Sequence, residues 1–367
     1  MKIAFWGSSL VSAYWNGAAT YYRGVLRALA QFGNDITFFE PDAYDRQKHR
    51  DIEDPEWARI VVYNPADRNE VNRHLSASAR FDVVVKASGV GVLDEFLEAR
   101  VAGMPSSVCK AFWDVDAPAT LDRLALHPSD PFHAALPRFD LVLTYGGGKP
   151  VTGSYGRIGA RECVAIYNAL DPDVHFPVAP DPRLACDLSF LGNRLPDREA
   201  RVDEFFFQAA ALAPHRRFLL GGSGWADKPL PPNVSYLGHV YTSDHNALNC
   251  SSRMVLNISR ESMARYGFSP ATRVFEAAGA AACLITDPWE GIDSFLQPGE
   301  EILVAQDGSA VARILRELPP ERARAIGEAA RNRVIAEHTY SRRGALVHSI
   351  LQKTMAAMAS SAVEMPV

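Results

Sequence analysis

Short apolar runs of strand character alternate with helical stretches along this chain, and the series occurs twice, on either side of a proline-rich segment. The runs fall at 3–6, 35–39, 81–86, 106–112 and 139–144, and again at 187–191, 217–220, 234–236, 254–258 and 282–286. When a helix separates each strand from the next, strands cannot pair as hairpins and must return in parallel, so the pattern predicts two parallel sheets covered by helices. The first crossover helix is well marked. Tyr21, Val25, Leu26, Leu29 and Ala30 recur at helical spacing across 20–31, and Gly33 stops the run. Further helices are expected near 198–213, 270–280 and 321–337.

Residues 168–184 hold Pro172, Pro177, Pro180 and Pro182, too many for regular structure, which places a linker there. At 367 residues the chain also exceeds what one core usually serves. The expected organisation is a Rossmann-like domain over 1–170, a linker over 171–185, a second such domain over 186–338, a helix over 339–358 and a tail over 359–367.

Composition narrows the partners. Lysine and arginine number 38 against 43 aspartates and glutamates, a formal charge of −5, which argues against a nucleic-acid partner. Cys109, Cys163, Cys186, Cys250 and Cys283 lie far apart with no CxxC pair, so neither a disulfide framework nor a zinc site is expected. The apolar run at the amino terminus is too short for a signal peptide's core, and no stretch is long enough to span a membrane. A cytoplasmic protein without an integral membrane segment is expected.

The stretch from Tyr266 to Gly279, YGFSPATRVFEAAG, carries the most chemistry. Ser269 suits an N-cap and Pro270 the first helical position, so a helix is expected to start there, with the amides of Ala271 and Thr272 free to bind phosphate. Arg273 and Glu276 stand three apart on one face. A carboxylate at Glu276 can accept hydrogen bonds from the two hydroxyls of a ribose. Lying between Phe275 and Ala277 with no apolar reason to be there, it is expected to be dispensable for folding. An ordinary capped helix with an Arg–Glu surface pair would read the same way. Three strand-end loops weigh against that reading: Gly192-Asn193-Arg194 followed by Arg198, Gly221-Gly222-Ser223-Gly224, and Leu237-Gly238-His239-Val240. Open α/β sheets bind ligands at such carboxyl ends.

Taken with the strand Cys283–Asp287 and the late Thr339-Tyr340-Ser341-Arg342-Arg343, these motifs resemble the CgeB-like, spore-maturation-type branch of the GT-B glycosyltransferases. The resemblance is most specific over 186–345 and implies two Rossmann-like domains facing a central cleft, with the last helix crossing back to the first domain. It further implies transfer of a sugar, of hexosyl type and with retention, from a nucleoside diphosphate sugar, UDP-type, to an unidentified acceptor. Glu276 would hold the ribose, Ser269, Thr272 and Arg273 the diphosphate, and Gly192, Asn193, Arg194, Arg198, Gly222 and His239 would complete the donor site. Neither cofactor nor metal is implied, since arginines and a helix terminus would neutralise the leaving diphosphate. The first glutamate of the related E-x7-E signature is missing; its neighbourhood reads Arg265-Tyr266-Gly267-Phe268.

In the first half, Asp114 and Asp116 follow a strand end and are the candidates for a catalytic base, the alternative being an N-cap for a helix at 119–126. Gly7, Asn16 and Gly17 are expected in a cleft loop but do not spell a dinucleotide fingerprint, and 145–150 is expected to be a loop. Two other functions fit the same fold: a nucleotide-sugar epimerase or hydrolase, and a non-catalytic sugar-nucleotide or partner-binding protein.

Overall fold

The structure is a computed structural model that describes residues 1–14 and 16–363, with side chains described through 360 apart from Trp15. Two compact units divide the chain. One comprises Met1–Tyr167 together with Tyr340–Val367, the other Asn168–Thr339.

The first unit is built on β1 (Lys2–Trp6), β2 (Asp35–Pro41), β3 (Ala58–Tyr63), β4 (Val83–Ala87), β5 (Cys109–Asp114), β6 (Leu141–Thr144) and β7 (Cys163–Ala165). All are parallel, in the order β3-β2-β1-β4-β5-β6-β7. Central strands are buried on both faces, which is why β1, β4, β5 and β6 read as continuous apolar runs. The edge strands β3 and β7 escape the sequence pattern. The first is half-exposed with Arg59 in it, and the second has only three residues.

Aromatic packing fills this core: Phe5 stacks on Phe38 at 5.2 Å and Trp6 on Phe39 at 4.5 Å between ring centroids. Trp113 Nε1 donates to Tyr21 Oη at 3.0 Å, and Tyr21 Oη donates to the Ile166 carbonyl at 2.7 Å, so these polar tips are satisfied where they are buried. The helix Tyr340–Val363 lies on the crossover helix Ala19–Gln31. Glycine permits that approach. A Cβ on Gly24 would stand 2.3 Å from the Tyr340 ring, and one on Gly344 would stand 2.5 Å from Cβ of Ala28. The last helix continues beyond 358 into the expected tail.

The second unit carries β8 (Cys186–Leu191), β9 (Phe218–Gly221), β10 (Val234–Gly238), β11 (Ser252–Asn257), β12 (Leu284–Thr286) and β13 (Leu303–Val304), parallel in the order β10-β9-β8-β11-β12-β13. Its core gathers Leu188, Phe190, Phe206, Leu220, Leu256 and Ile285 with Trp225 and Ile326. The helix expected over 198–213 is present as Glu199–Val202, a π turn at Asp203–Phe207, and Gln208–Leu212. The proline-rich segment packs within this unit: Leu170 bridges Thr339, and Pro182–Leu184 form a 3-10 turn.

All five cysteines are free and at least half-buried, and burial pushes the Cys109, Cys163 and Cys283 thiols up to about 12. No helix among the described residues is long and apolar enough to cross a membrane.

Candidate functional site

Both sheets have the doubly wound order in which strands run outward in opposite directions from a central pair, and the crevice beyond the carboxyl ends of that pair is where such sheets bind ligands. In the second unit the pair is β8 and β11.

The loops at this edge brace one another. Gly192 N donates to the Gly221 carbonyl at 3.0 Å and Ser223 N donates to Asn193 Oδ1 at 2.9 Å. Gly222 has φ +114°, and a Cβ there would stand 2.3 Å from the Gly192 carbonyl oxygen, so two loops meet at a point only glycine can occupy. Asn193 and Gly222 thus shape the edge through their own contacts.

The arginines at this edge differ sharply. Arg194, expected among the phosphate donors, is already neutralised: its guanidinium pairs with Glu199 at 2.7 Å and Asp227 at 2.9 Å. Arg260 pairs with Asp197 at 2.7 Å, and Arg201 with the fully buried Asp287 at 2.5 Å. Arg198 is half-buried and has neither an ion pair nor a hydrogen bond among the described residues. Its Nε is buried without a partner, while the two terminal nitrogens are left open. Burial lowers its pKa; the charge of Asp197, and more weakly that of Asp287, opposes this, while the charges of Arg260 and Arg273 act with it. The nearby carboxylates Asp197 and Asp287 are already paired with Arg260 and Arg201, and a desolvated cation without an ion pair of its own can take an anion.

The neighbouring helix spans Thr272–Gly279 with Ala271 as N-cap, so the expected start at Ser269 and Pro270 is corrected by two residues. Ser269 does not cap: its Oγ donates to the Gly267 carbonyl at 2.9 Å, and no side chain caps the helix. Pro270 and Ala271 stay extended, and Asn168 Nδ2 donates to the Pro270 carbonyl at 3.0 Å. The first amides without a partner in the helix are therefore those of Thr272 and Arg273.

Glu276 faces inward from this helix at 7% exposure, so the surface pair of the alternative reading is in fact a buried one. Arg273 Nη1 stands 3.0 Å from its Oε2, with His175 Nε2 3.7 Å from Oε1 and His245 Nδ1 3.7 Å from Oε2. Burial alone would raise the pKa of this carboxyl, but Arg273, His175 and His245 outweigh it and hold Glu276 down at about 2. Burial and Arg273 press His245 down to about 4, and burial lowers His175 as well, so both rings are neutral near pH 7. Arg273 is thus the charge that fixes the carboxylate. It leaves Nη2 open, as Glu276 leaves Oε1, while Oε2 and Nη1 are buried.

One oxygen or nitrogen each from His175, His245 and Glu276 lies within 4.8 Å of the others, a set able to ligate a metal ion. The guanidinium 3.0 Å from the same carboxylate opposes a cation there. Neither histidine stands out in the sequence. His175 comes from the proline-rich segment and His245 from the helix Thr242–Ser251, and only the fold brings them to Glu276.

His239 is exposed beyond β10, its ring edge-on to Tyr241 at 4.6 Å, and Tyr241 is itself 65% exposed.

In the first unit Asp114 is fully buried at the end of β5. It accepts hydrogen bonds from Ser88 Oγ and Asp116 N, at 2.7 and 2.9 Å, and from Tyr155 Oη. Burial raises its pKa against these donors. A carboxylate so occupied organises the strand end and is not open to a substrate proton. Asp116 is the N-cap residue of the helix Ala117–Leu126, without a side-chain capping bond. Gly7 is buried, Gly17 exposed, and Asn16 ties its loop together through Ser8 Oγ and the carbonyls of Ser9 and Ser12. Of the stretch expected as a loop at 145–150, residues 145–147 are a loop and 148–150 open the helix Gly148–Arg157, with Gly147 as N-cap at φ +87°.

Residues 198–349 match a protein-family model described as "Glycosyl transferase-like". No sequence among the curated proteins matches. Among solved structures the chain is similar to sucrose-phosphate synthase from Thermosynechococcus elongatus (15% identity, TM-score 0.69, covering 97% of this chain and all of that one). It is likewise similar to Anabaena HepE in complex with UDP and glucose (13%, TM-score 0.67, 96% and 100%). A third similar structure is a glycosyltransferase from Rickettsia africae (14%, TM-score 0.64, 96% and 98%). The two parallel-sheet, Rossmann-like units therefore form the fold of the GT-B glycosyltransferases.

Proposed function

We propose that this chain is a glycosyltransferase of the CgeB-like branch, moving a sugar from a nucleoside diphosphate sugar to an acceptor hydroxyl. The observation that carries the proposal is Arg198, a half-buried guanidinium without an ion pair among the described residues, at the doubly wound edge where Arg273 Nη2 and the amides of Thr272 and Arg273 are also open. A diphosphate supplies the missing negative charge, and the same donors stabilise the leaving nucleotide in the transition state. Glu276, ionised and fixed by Arg273, offers Oε1 to a ribose hydroxyl.

UDP is the proposed nucleotide, supported by the complex of the similar Anabaena protein with UDP and glucose. Gly192 lies beside Arg198 where the diphosphate would bind, Gly222 holds the loop of Gly192 in place, and the exposed His239 contacts the base. Asn193, Arg194 and Ser269 act on the donor through the loops they brace. No protein-bound metal is required, the anomeric configuration is retained, and the protein works in the cytoplasm. Of the two aspartates, Asp116 is the candidate base and Asp114 holds its loop. Isothermal titration with UDP, GDP and dTDP tests the reading. Tight binding of one nucleotide, weakened about tenfold to a hundredfold in Arg198→Gln, is expected; no binding of any of the three refutes it.

A further inference from the structure

The first unit has its own doubly wound edge, at the carboxyl ends of β1 and β4, and a second arginine without an ion pair among the described residues stands there. Arg46 is 6% exposed. Its Nη1 donates to the Ser8 carbonyl at 3.2 Å and to the Val90 carbonyl at 3.4 Å, one from each side of the central strand pair. Among the described residues Nε is buried with no partner, and Nη2 makes no hydrogen bond and is left open. Of the groups that act on it among the described residues, Glu40 is the only carboxylate; it supports the charge of Arg46 without forming an ion pair with it, and its oxygens are engaged by Ser9 Oγ, Leu10 N and Gln47 Nε2. The Tyr44 ring covers the guanidinium at 5.0 Å.

The chain accepts strain to put Arg46 there. Tyr44 and Asp45 have φ of +58° and +56°, consecutive non-glycine residues in the left-handed region, and Tyr44 Oη is anchored to the Gly91 carbonyl at 2.6 Å. Two carbonyl contacts do not neutralise a buried guanidinium, which keeps its charge at any pH the protein meets. A purely structural tie between two strand ends would be made as well by a neutral side chain.

We infer that Arg46 is the anchor of an oxyanion site in the first unit, and that the sugar acceptor carries a phosphate or carboxylate group bound there. The acceptor clause rests on the transferase reading; the oxyanion site does not.

The test is titration of inorganic phosphate, and separately of glucuronate, into the full chain saturated with UDP, at constant ionic strength. UDP fills the second unit, so remaining phosphate binding reports the first. Saturable binding is expected in the parent, at least about tenfold weaker in Arg46→Gln, the loss of one charged hydrogen bond. Preference for phosphate or glucuronate tells the two groups apart. No saturable binding of either anion by the parent, or equal affinity in parent and variant, overturns the inference. If Arg46→Gln does not fold, Arg46→Lys is measured instead: it keeps the charge without the fork, and unchanged affinity again overturns the inference. Failure of UDP to bind, with an Arg46-dependent phosphate site still present, sinks the donor reading alone.

Discussion

Replacing Arg198 with glutamine separates a binding residue from a structural one by the sign of two effects. In the unliganded protein the guanidinium is half-buried, without an ion pair, and its pKa is lowered by burial, so its charge opposes folding. Removing that charge leaves the stability of the second unit unchanged or raises it by up to about 1 kcal/mol. Binding moves the other way. One charged hydrogen bond to phosphate contributes roughly 1.5–3 kcal/mol, so Kd for UDP rises about tenfold to a hundredfold.

The two effects combine in a thermal-shift series. At UDP a hundredfold above the parent's Kd, ligand stabilisation is about 2.7 kcal/mol in the parent and falls to about 1.4 or about 0.4 kcal/mol in the variant. Calorimetric titration gives Kd directly, and melting without ligand gives the apo term. A variant that melts clearly earlier without ligand yet binds UDP as the parent does refutes the assignment, because Arg198 would then be a structural contact.

Glu276→Gln behaves differently: UDP affinity falls about tenfold or more, and the unliganded unit also loses about 2 kcal/mol, because Arg273 Nη1 loses its ionised partner at 3.0 Å. Unchanged melting of this variant would contradict the buried ion pair. Gly222→Ala, with φ +114° and a Cβ 2.3 Å from the Gly192 carbonyl oxygen, destabilises the second unit by more than about 2 kcal/mol in denaturant titration; a neutral result would mean that the two loops can separate. Turnover survives EDTA, and a loss restored by Mg²⁺ or Mn²⁺ would overturn the metal-free proposal. Acid moves the two units in opposite directions. His245, pressed down to about 4, leaves the unfolded chain to take up the proton first, so the second unit loses about 3 kcal/mol as pH falls from 6.5 to 4, and Glu276 adds a loss between 4.5 and 2. Glu98, pushed up by burial to about 7 against the pull of Lys86, is protonated first in the native state, so the first unit gains stability as pH falls from 7 to 4.5. Calorimetric scans at pH 7 and pH 5 should resolve these shifts, and parallel movement of both transitions would refute the pKa assignments.

What could be read in the sequence depended on how local the cause was. Buried central strands announce themselves as apolar runs, whereas β13, with two residues, and the half-exposed β3 are held by pairing to a neighbour and carry little pattern of their own. The serine-proline pair at 269–270 is a sound local signal for a helix start, and tertiary bonds override it. Asn168 holds the Pro270 carbonyl, and Phe268, at φ +44°, donates its amide to the Glu290 carbonyl, so the chain stays out of the helix until Ala271. Glu276 looked free because its partners in space, His175 and His245, are 101 and 31 positions away in the chain.

The arginines make the same point about function. Arg194 and Arg198 are four residues apart beyond the same strand and equivalent by motif, yet Glu199 and Asp227 pair with the first and no described residue pairs with the second. A sequence counts cations; only the folded chain shows which still lack an anion. By that criterion Arg198, Arg46 and the open side of Arg273 are the groups from which ligand binding should be sought, one anion in each unit. Arg194→Gln should therefore alter UDP affinity much less than Arg198→Gln, and should act first on melting, by a small amount, through the loss of two solvent-screened ion pairs. Equal losses of UDP affinity in the two variants would show that ion pairing in the free protein does not decide which arginine meets the phosphate.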